Sequence, residues 1–258
     1  WLTESVVTKD FDPQLGFVSR SDVIGTTPGV FWYYRGDYLP FKKIIRAFEP
    51  GVMTEFYHQA STGKRIEQQI NINPIWFNFQ NGGYFGYLVN PTYQLLTEPF
   101  EPLGITIPVG EYNYVTHQVY LSSNPAAKLS TSMNINWGGY YDGHLTTTDV
   151  RVQFAPIPHF YIAGRVIRNA FSEVGEEKTS KTADLFSVEG RLALNPRLQL
   201  TGFYQKNTEN NADNYNIRLS WEYRPLSFIY IVLNHRGFDN TELKRQAEDH
   251  VIAKISYL

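Results

Sequence analysis

The chain is 258 residues long and nearly neutral, with 23 Lys and Arg against 25 Asp and Glu. That balance excludes a general nucleic-acid binder, which needs a clustered basic excess, and the absence of Cys excludes disulfides, thiolate metal sites and Cys nucleophiles. No apolar run approaches the ~18 residues of a membrane helix, yet 16% aromatic residues beside 19 Gly and 14 Pro point to an all-β protein. The opening WLTESVV has neither Met nor a basic leader region, which reads as a mature, trimmed or partial chain. No Ser/Pro/Gly linker divides the chain, so one domain over 1–258 is expected.

In chain order, strands are predicted near 14–24, 29–37, 43–58, 65–80, 84–98, 111–124, 128–141, 144–155, 159–171, 184–195, 198–207, 214–224, 227–236 and 248–258, with 1–8 as a further candidate. The reason is period-two alternation. Along 65–73, Ile66, Gln68, Ile70 and Ile72 oppose a row of Arg, Glu, Gln and Asn. Along 129–137, Leu129, Thr131, Met133, Ile135 and Trp137 oppose Ser and Asn. Along 148–154, Val150, Val152 and Phe154 oppose Asp149, Arg151 and Gln153. The segment 185–194 alternates in the same way, and 214–223 sets Tyr215, Ile217, Leu219, Trp221 and Tyr223 against Asn214, Asn216, Arg218, Ser220 and Glu222. Successive side chains on a strand point to opposite faces, so each segment has one apolar and one polar face.

Soluble sandwiches alternate too, but three features favour a membrane barrel. The alternating runs suit the ~9–11 residues that cross a bilayer obliquely. Aromatics gather near the ends of the apolar faces (Phe154; Trp137, Tyr140 and Tyr141; Trp221 and Tyr223), as an interfacial girdle requires. Tight Pro turns at 124–125, 155–158, 195–196 and 224–225 alternate with longer polar loops near 140 and at 172–183, 207–213 and 236–247, while 98–110 is the longest loop. The expected fold is therefore an antiparallel transmembrane outer-membrane β-barrel of at least fourteen strands, part of a larger barrel, with its Pro turns at the periplasmic end. An odd fifteenth strand at 1–8 would place further partners upstream.

Chemistry is expected mainly on the inward face. Arg151, Arg165, Glu189, Arg191, Arg218, Glu222, Arg224 and Lys254 all fall there. They can form cross-strand ion pairs that fill the interior, line a pore with a mild cationic lean, or hold a plug. Arg168 breaks the parity of its strand and is placed above the hydrocarbon, beside an upper loop. Among the bases His117, His144, His159, His235 and His250, the pair Asp249-His250 beside Glu248 is a candidate relay at the upper rim, although a solvated loop-to-strand junction explains it more simply. Asp142-Gly143 reads as a hairpin turn that His144 caps. The clusters Gly82-Gly83-Tyr84 and Gly138-Gly139-Tyr140-Tyr141 offer rings to stack on sugars, or else an interfacial Tyr girdle. No catalytic residue, metal or cofactor is expected.

Residues 11–23, FDPQLGFVSRSDV, resemble a signature of outer-membrane proteins from Bacteroidetes-type bacteria, through Asp12, Pro13, Gly16, Phe17 and Arg20. Those proteins carry an N-terminal family-9-like carbohydrate-binding module ahead of a large C-terminal barrel domain. Residues 222–236 and 250–258 resemble that family's closing strands. The resemblance implies that this chain corresponds to the C-terminal part of the architecture, and that the solute handled is a glycan. It supplies no catalytic residues. One departure is the ending Tyr257-Leu258, which puts the terminal aromatic one residue early and favours trimming. The expected function is a non-enzymatic barrel in the cell outer membrane for passage or surface handling of a solute. A closed structural or partner subunit of a larger envelope transport or secretion complex is the alternative, and a hydrolase at the rim is a third. The partners implied are outer-membrane lipid, a glycan and neighbouring envelope subunits, with no nucleic acid.

Overall fold

A computed structural model describes residues 1–14, 16, 20–239 and 244–258, with the backbone alone at Asp37. Its strands are β1 (Leu2–Val7), β2 (Val23–Phe31), β3 (Tyr34–Arg35), β4 (Ile45–Phe48), β5 (Gly51–Gln59), β6 (Arg65–Phe79), β7 (Tyr84–Leu96), β8 (Gly110–Ser122), β9 (Leu129–Tyr140), β10 (Gly143–Ile157), β11 (Phe160–Val174), β12 (Thr179–Asn195), β13 (Leu198–Asn207), β14 (Ala212–Arg224), β15 (Ser227–Asp239) and β16 (Arg245–Ser256). All sixteen belong to one antiparallel sheet with the order β1-β2-β5-β6-β7-β8-β9-β10-β11-β12-β13-β14-β15-β16, while β3 pairs with β4 and β4 with β6. Among the described residues there is no α-helix, and the order runs from β1 to β16 without closing.

The chain divides into two compact units. One comprises Trp1–Leu121, Ile135–Thr146 and Ala170–Lys181, the other Ser122–Asn134, Thr147–Asn169 and Thr182–Leu258.

The second unit shows most plainly how the alternation becomes a surface. Pairing sets Leu192, Leu200, Leu219, Ile231 and Ala253 side by side across five strands. A second row joins Gly190, Gly202, Ile217, Leu233 and Val251. One position further along every strand, Glu189, Phe203, Asn216, Asn234 and His250 form a row on the opposite face. Among the described residues nothing covers this apolar face: Ile217 is 39% exposed, Leu233 38% and Val251 75%.

The first unit repeats the pattern. Val30, Val52, Ile72 and Val89 form one row, and Gly25, Tyr57, Glu67 and Gln94 form a row on the other face. Its dry core is small and lies at one end of the strands, around Ile105, Ile107, Phe171 and Val174.

Several expectations need correction. Residues 15 and 17–19, part of the strand expected at 14–24 and including Phe17, lie outside the described residues; the described part holds no strand before Val23. The segment 1–8 does form a strand, β1, in register with β2. The strands expected at 29–37 and 43–58 are broken up, the first into β2 and β3 and the second into β4 and β5, with Pro50, which has no N–H to donate, at the second break.

Three of the four Pro turns are as tight as expected, two residues each at 158–159, 196–197 and 225–226, but the one expected at 124–125 is a six-residue connection, 123–128. The opposite, upper loops are shorter than expected, however. The one near 140 is the two-residue turn 141–142, 172–183 shrinks to 175–178, and 207–213 to 208–211. For 236–247, β15 continues to Asp239 and β16 starts at Arg245, with 240–243 outside the described residues. A backbone ladder needs no apolar side chains, so the polar ends of these segments stay paired as hairpins. Hence β10 and β11 reach 15 residues and β12 reaches 17, beyond the ~9–11 needed to cross a bilayer. Of the long upper loops expected, 97–109 stays long.

Candidate functional site on the polar faces

In the first unit the loop 97–109 is a folded object. Phe100 and Ile107 exchange backbone hydrogen bonds at 3.0 and 2.8 Å, and Lys181 Nζ donates to the Leu103 carbonyl at 2.8 Å. Glu176 N–H donates to the Thr106 carbonyl at 3.1 Å, and Tyr112 Oη to the Pro108 carbonyl at 2.7 Å. Ile105 and Ile107 bury themselves against Phe171 and Val174, with Tyr112, Tyr140 and Tyr141 around them. Phe171 shares the alternation phase of Arg165 on β11, so the loop packs on the polar face.

Tyr140 and Tyr141 therefore belong to an aromatic cluster packed against this loop and not to the girdle expected of them. Tyr140 meets Phe171 edge-on with ring centroids 5.7 Å apart. For Tyr141 the cause is Gly138, whose φ of +141° interrupts the alternation that runs up to Trp137, whereas Tyr140 already shares the parity of Asn134 and Asn136. Trp137 stays in the other phase and stacks on His117, which also bonds the Tyr87 hydroxyl at 2.8 Å. Burial pushes the Tyr141 hydroxyl well above its ordinary range.

Asp142, and not His144, holds the adjacent turns together. Its Oδ1 accepts the Gly175 N–H at 2.9 Å and its Oδ2 accepts Lys178 Nζ at 2.8 Å, while His144 is exposed. Burial raises the Asp142 carboxyl, but these donors outweigh it and hold the group below its ordinary value. Gly82-Gly83-Tyr84 sits at the β6–β7 turn, where Tyr84 stacks on Trp76 at 5.4 Å.

A polar cavity of about 590 Å³ opens in the same unit, lined by Arg20, Asp22, Gln59, Lys64, Gln94 and Phe100 among others. Asp22 is its fixed point. Its carboxylate accepts Ser61 Oγ at 2.6 Å, Ser61 N–H at 2.8 Å and Gln59 Nε2 at 2.8 Å. The Ser61 hydroxyl is the largest of the influences that hold it below the ordinary carboxylate range. Arg20 reaches Glu67 at 3.3 Å.

In the second unit the charged candidates sort into three groups. Arg151 and Glu189 are brought together at 2.5 Å. Arg165 grips Asp149, a partner the candidate residues did not include, and the signal for it was its i, i+2 spacing from Arg151 on one strand face. Arg218 lies over the Tyr230 ring, 4.6 Å from its centre, and Lys254 pairs directly opposite Tyr230, so both cations flank one aromatic. Arg191 stands opposite Thr201 and is exposed. Glu222 and Arg224 belong to the turn instead: Glu222 Oε1 accepts the Leu226 N–H at 2.9 Å, and Arg224 pairs with Ser227 across it.

At the upper ends of these strands Arg168 holds Asp184 through two bonds, at 2.7 and 2.9 Å, on the apolar-face phase. The Asp249-His250 relay is undone by strand geometry, because neighbours on a strand face opposite ways. Asp249 bonds His235 Nδ1 at 2.7 Å, and His250 pairs with Asn234 on the other face. His235 stacks on Tyr215, with Asp213 3.5 Å from its Nε2.

The class these features define is an all-β protein of one antiparallel sheet, apolar on one face and ion-paired on the other. Comparison with protein-family models finds no match, and neither curated proteins nor solved structures give one.

Proposed function

We propose that the protein is a non-enzymatic outer-membrane β-barrel whose polar face lines a passage for a solute. The observation that carries this reading is the register of β12–β16, which puts uninterrupted apolar rows, left exposed, back to back with a face of charges and amides. Charges on a lipid-facing midplane cost about 2–4 kcal/mol each, so this segregation suits a sheet with hydrocarbon on one side and water on the other. In this reading the ion pairs Arg151–Glu189 and Arg165–Asp149 line the passage, and Arg191, Arg218 and Lys254 give it an anionic preference. A glycan as the solute rests on the resemblance in 11–23 and 222–236. The test is single-channel conductance of the refolded chain in a planar bilayer. Steady conductance steps whose anion preference falls in Arg218→Ser support the passage; a silent protein overturns it.

A second reading, a closed structural or partner subunit of a larger envelope complex, is favoured by β16. Its twelve residues pair only with β15 among the described residues, leaving an edge for a neighbouring strand. A silent protein that still shows heat-modifiable mobility on a gel supports this reading.

A further inference from the structure

The apolar face of the second unit is not smooth. Gly190 and Gly202 pair directly across β12 and β13, and Ile217 follows on β14. Around them a crease of about 390 Å³ is walled by Ile162, Val188, Leu192, Leu200, Tyr204 and Ile217. Nothing inside the protein requires the glycine at 202: a Cβ there would meet no atom within 4 Å, and the same holds at Gly164. Glycine weakens a strand and packs nothing, so its place is explained by something outside the protein that enters the space.

Charge supplies the identity of that occupant. Along β13 the same phase runs Leu200, Gly202, Tyr204, Lys206, so the crease leads towards a cation at the upper end. Lys206 lies opposite Phe186 and Asp213, but Asp213 is engaged by Arg245 and His235, and Lys206 is exposed with no ion pair among the described residues. Arg168, on the same phase of β11, adds a second cation that is 57% exposed although it holds Asp184. An apolar slot that ends at exposed cations complements a lipid with a phosphorylated headgroup. We propose that this crease is a binding site for lipopolysaccharide, with an acyl chain seated over Gly190 and Gly202 and a headgroup phosphate on Lys206. The proposal rests on the barrel reading, which turns this end of the strands to the outer leaflet, where lipopolysaccharide is the anionic lipid.

The experiment reconstitutes the full chain in phosphatidylcholine vesicles doped with lipopolysaccharide or with phosphatidylglycerol, then extracts it gently and counts bound lipid by native mass spectrometry. Wild type is expected to retain lipopolysaccharide in preference to phosphatidylglycerol. Gly202→Leu, whose Cβ would meet no atom within 4 Å, and Lys206→Glu are each expected to lower retention about fivefold or more, while inserting as wild type does by heat-modifiable mobility. Equal retention by the variants, or equal retention of phosphatidylglycerol, overturns the site. A chain that inserts but retains no lipopolysaccharide sinks this proposal alone, whereas one that never inserts sinks the barrel reading as well.

Discussion

Arg165 grips Asp149 with two parallel hydrogen bonds, Nε to Oδ1 at 2.8 Å and Nη2 to Oδ2 at 2.5 Å. The pair is half in solvent, with the Arg165 side chain 45% exposed, so its worth lies less in stability than in cancelling a charge on the polar face. Asp149→Asn is expected to cost less than about 1 kcal/mol and to raise the anion preference of the passage by freeing Arg165. Arg218→Gln is expected to lower it. Reversal potentials under a salt gradient check both, and shifts of the same sign in the two variants contradict the account.

The turn anchored by Asp142 gives a pH dependence with a definite sign. A carboxylate whose folded pKa lies below its unfolded one contributes stability that is full above the unfolded value and is lost as pH falls through the folded one. Since the donors around Asp142 hold it below 3.8, the link to 175–178 is expected to hold unchanged down to about pH 5 and to weaken below about pH 4. Asp142→Asn is expected to cost about 0.5–1 kcal/mol and to remove this acid dependence. Amide exchange at Gly175 measures both effects.

Ile107 is fully buried against Phe171 and Val174. Ile107→Ala is expected to cost the loop about 2–5 kcal/mol of packing, enough to open 97–109 while the strands stay paired. Limited proteolysis should then cut within this loop, and the strand ladder should survive in far-UV circular dichroism. Loss of the whole ladder would mean that the loop holds the sheet together.

How far these sites could be read from the chain alone depends on which interactions follow the strand period. The faces of β12–β16 were legible because alternation is local: Ile217 and Arg218 differ by one position and so by face. The expected strand at 198–207 matches β13, those at 214–224 and 227–236 fall two and three residues short of β14 and β15, and that at 184–195 misses the first five residues of β12. Pairings between strands were less visible. Arg151 finds Glu189 across 38 positions, and nothing in either segment encodes the register that joins them. Unbroken alternation carries Tyr141 to the face of Trp137, and the interruption at Gly138 is what takes it off that face, while Tyr140 has the parity of Asn134 and Asn136. Polar hairpin ends were read as loops, since hydropathy does not register a ladder whose side chains are all polar. The packed core around Ile107 escaped notice because 98–110 has no periodicity at all.

Charge placement tests the two faces asymmetrically. Ile217→Lys puts an ammonium on the apolar face at a cost of about 2–4 kcal/mol if that face meets hydrocarbon, so insertion is expected to fall sharply. Asn216→Lys, one residue away on the polar face, is expected to insert normally. Folding yields into vesicles, scored by heat-modifiable mobility, compare the two directly.

The most direct measurement of the central claim is a cysteine scan of β14 in vesicles, for which a chain with no native Cys is a clean background. Single Cys variants at 215, 217, 219 and 221 should resist a water-soluble maleimide and react with a lipid-soluble one. Variants at 216, 218 and 220 should react with the water-soluble reagent. That alternation is the result expected of a membrane-spanning wall with a wet inner face; uniform labelling of all seven positions by the water-soluble reagent would contradict it.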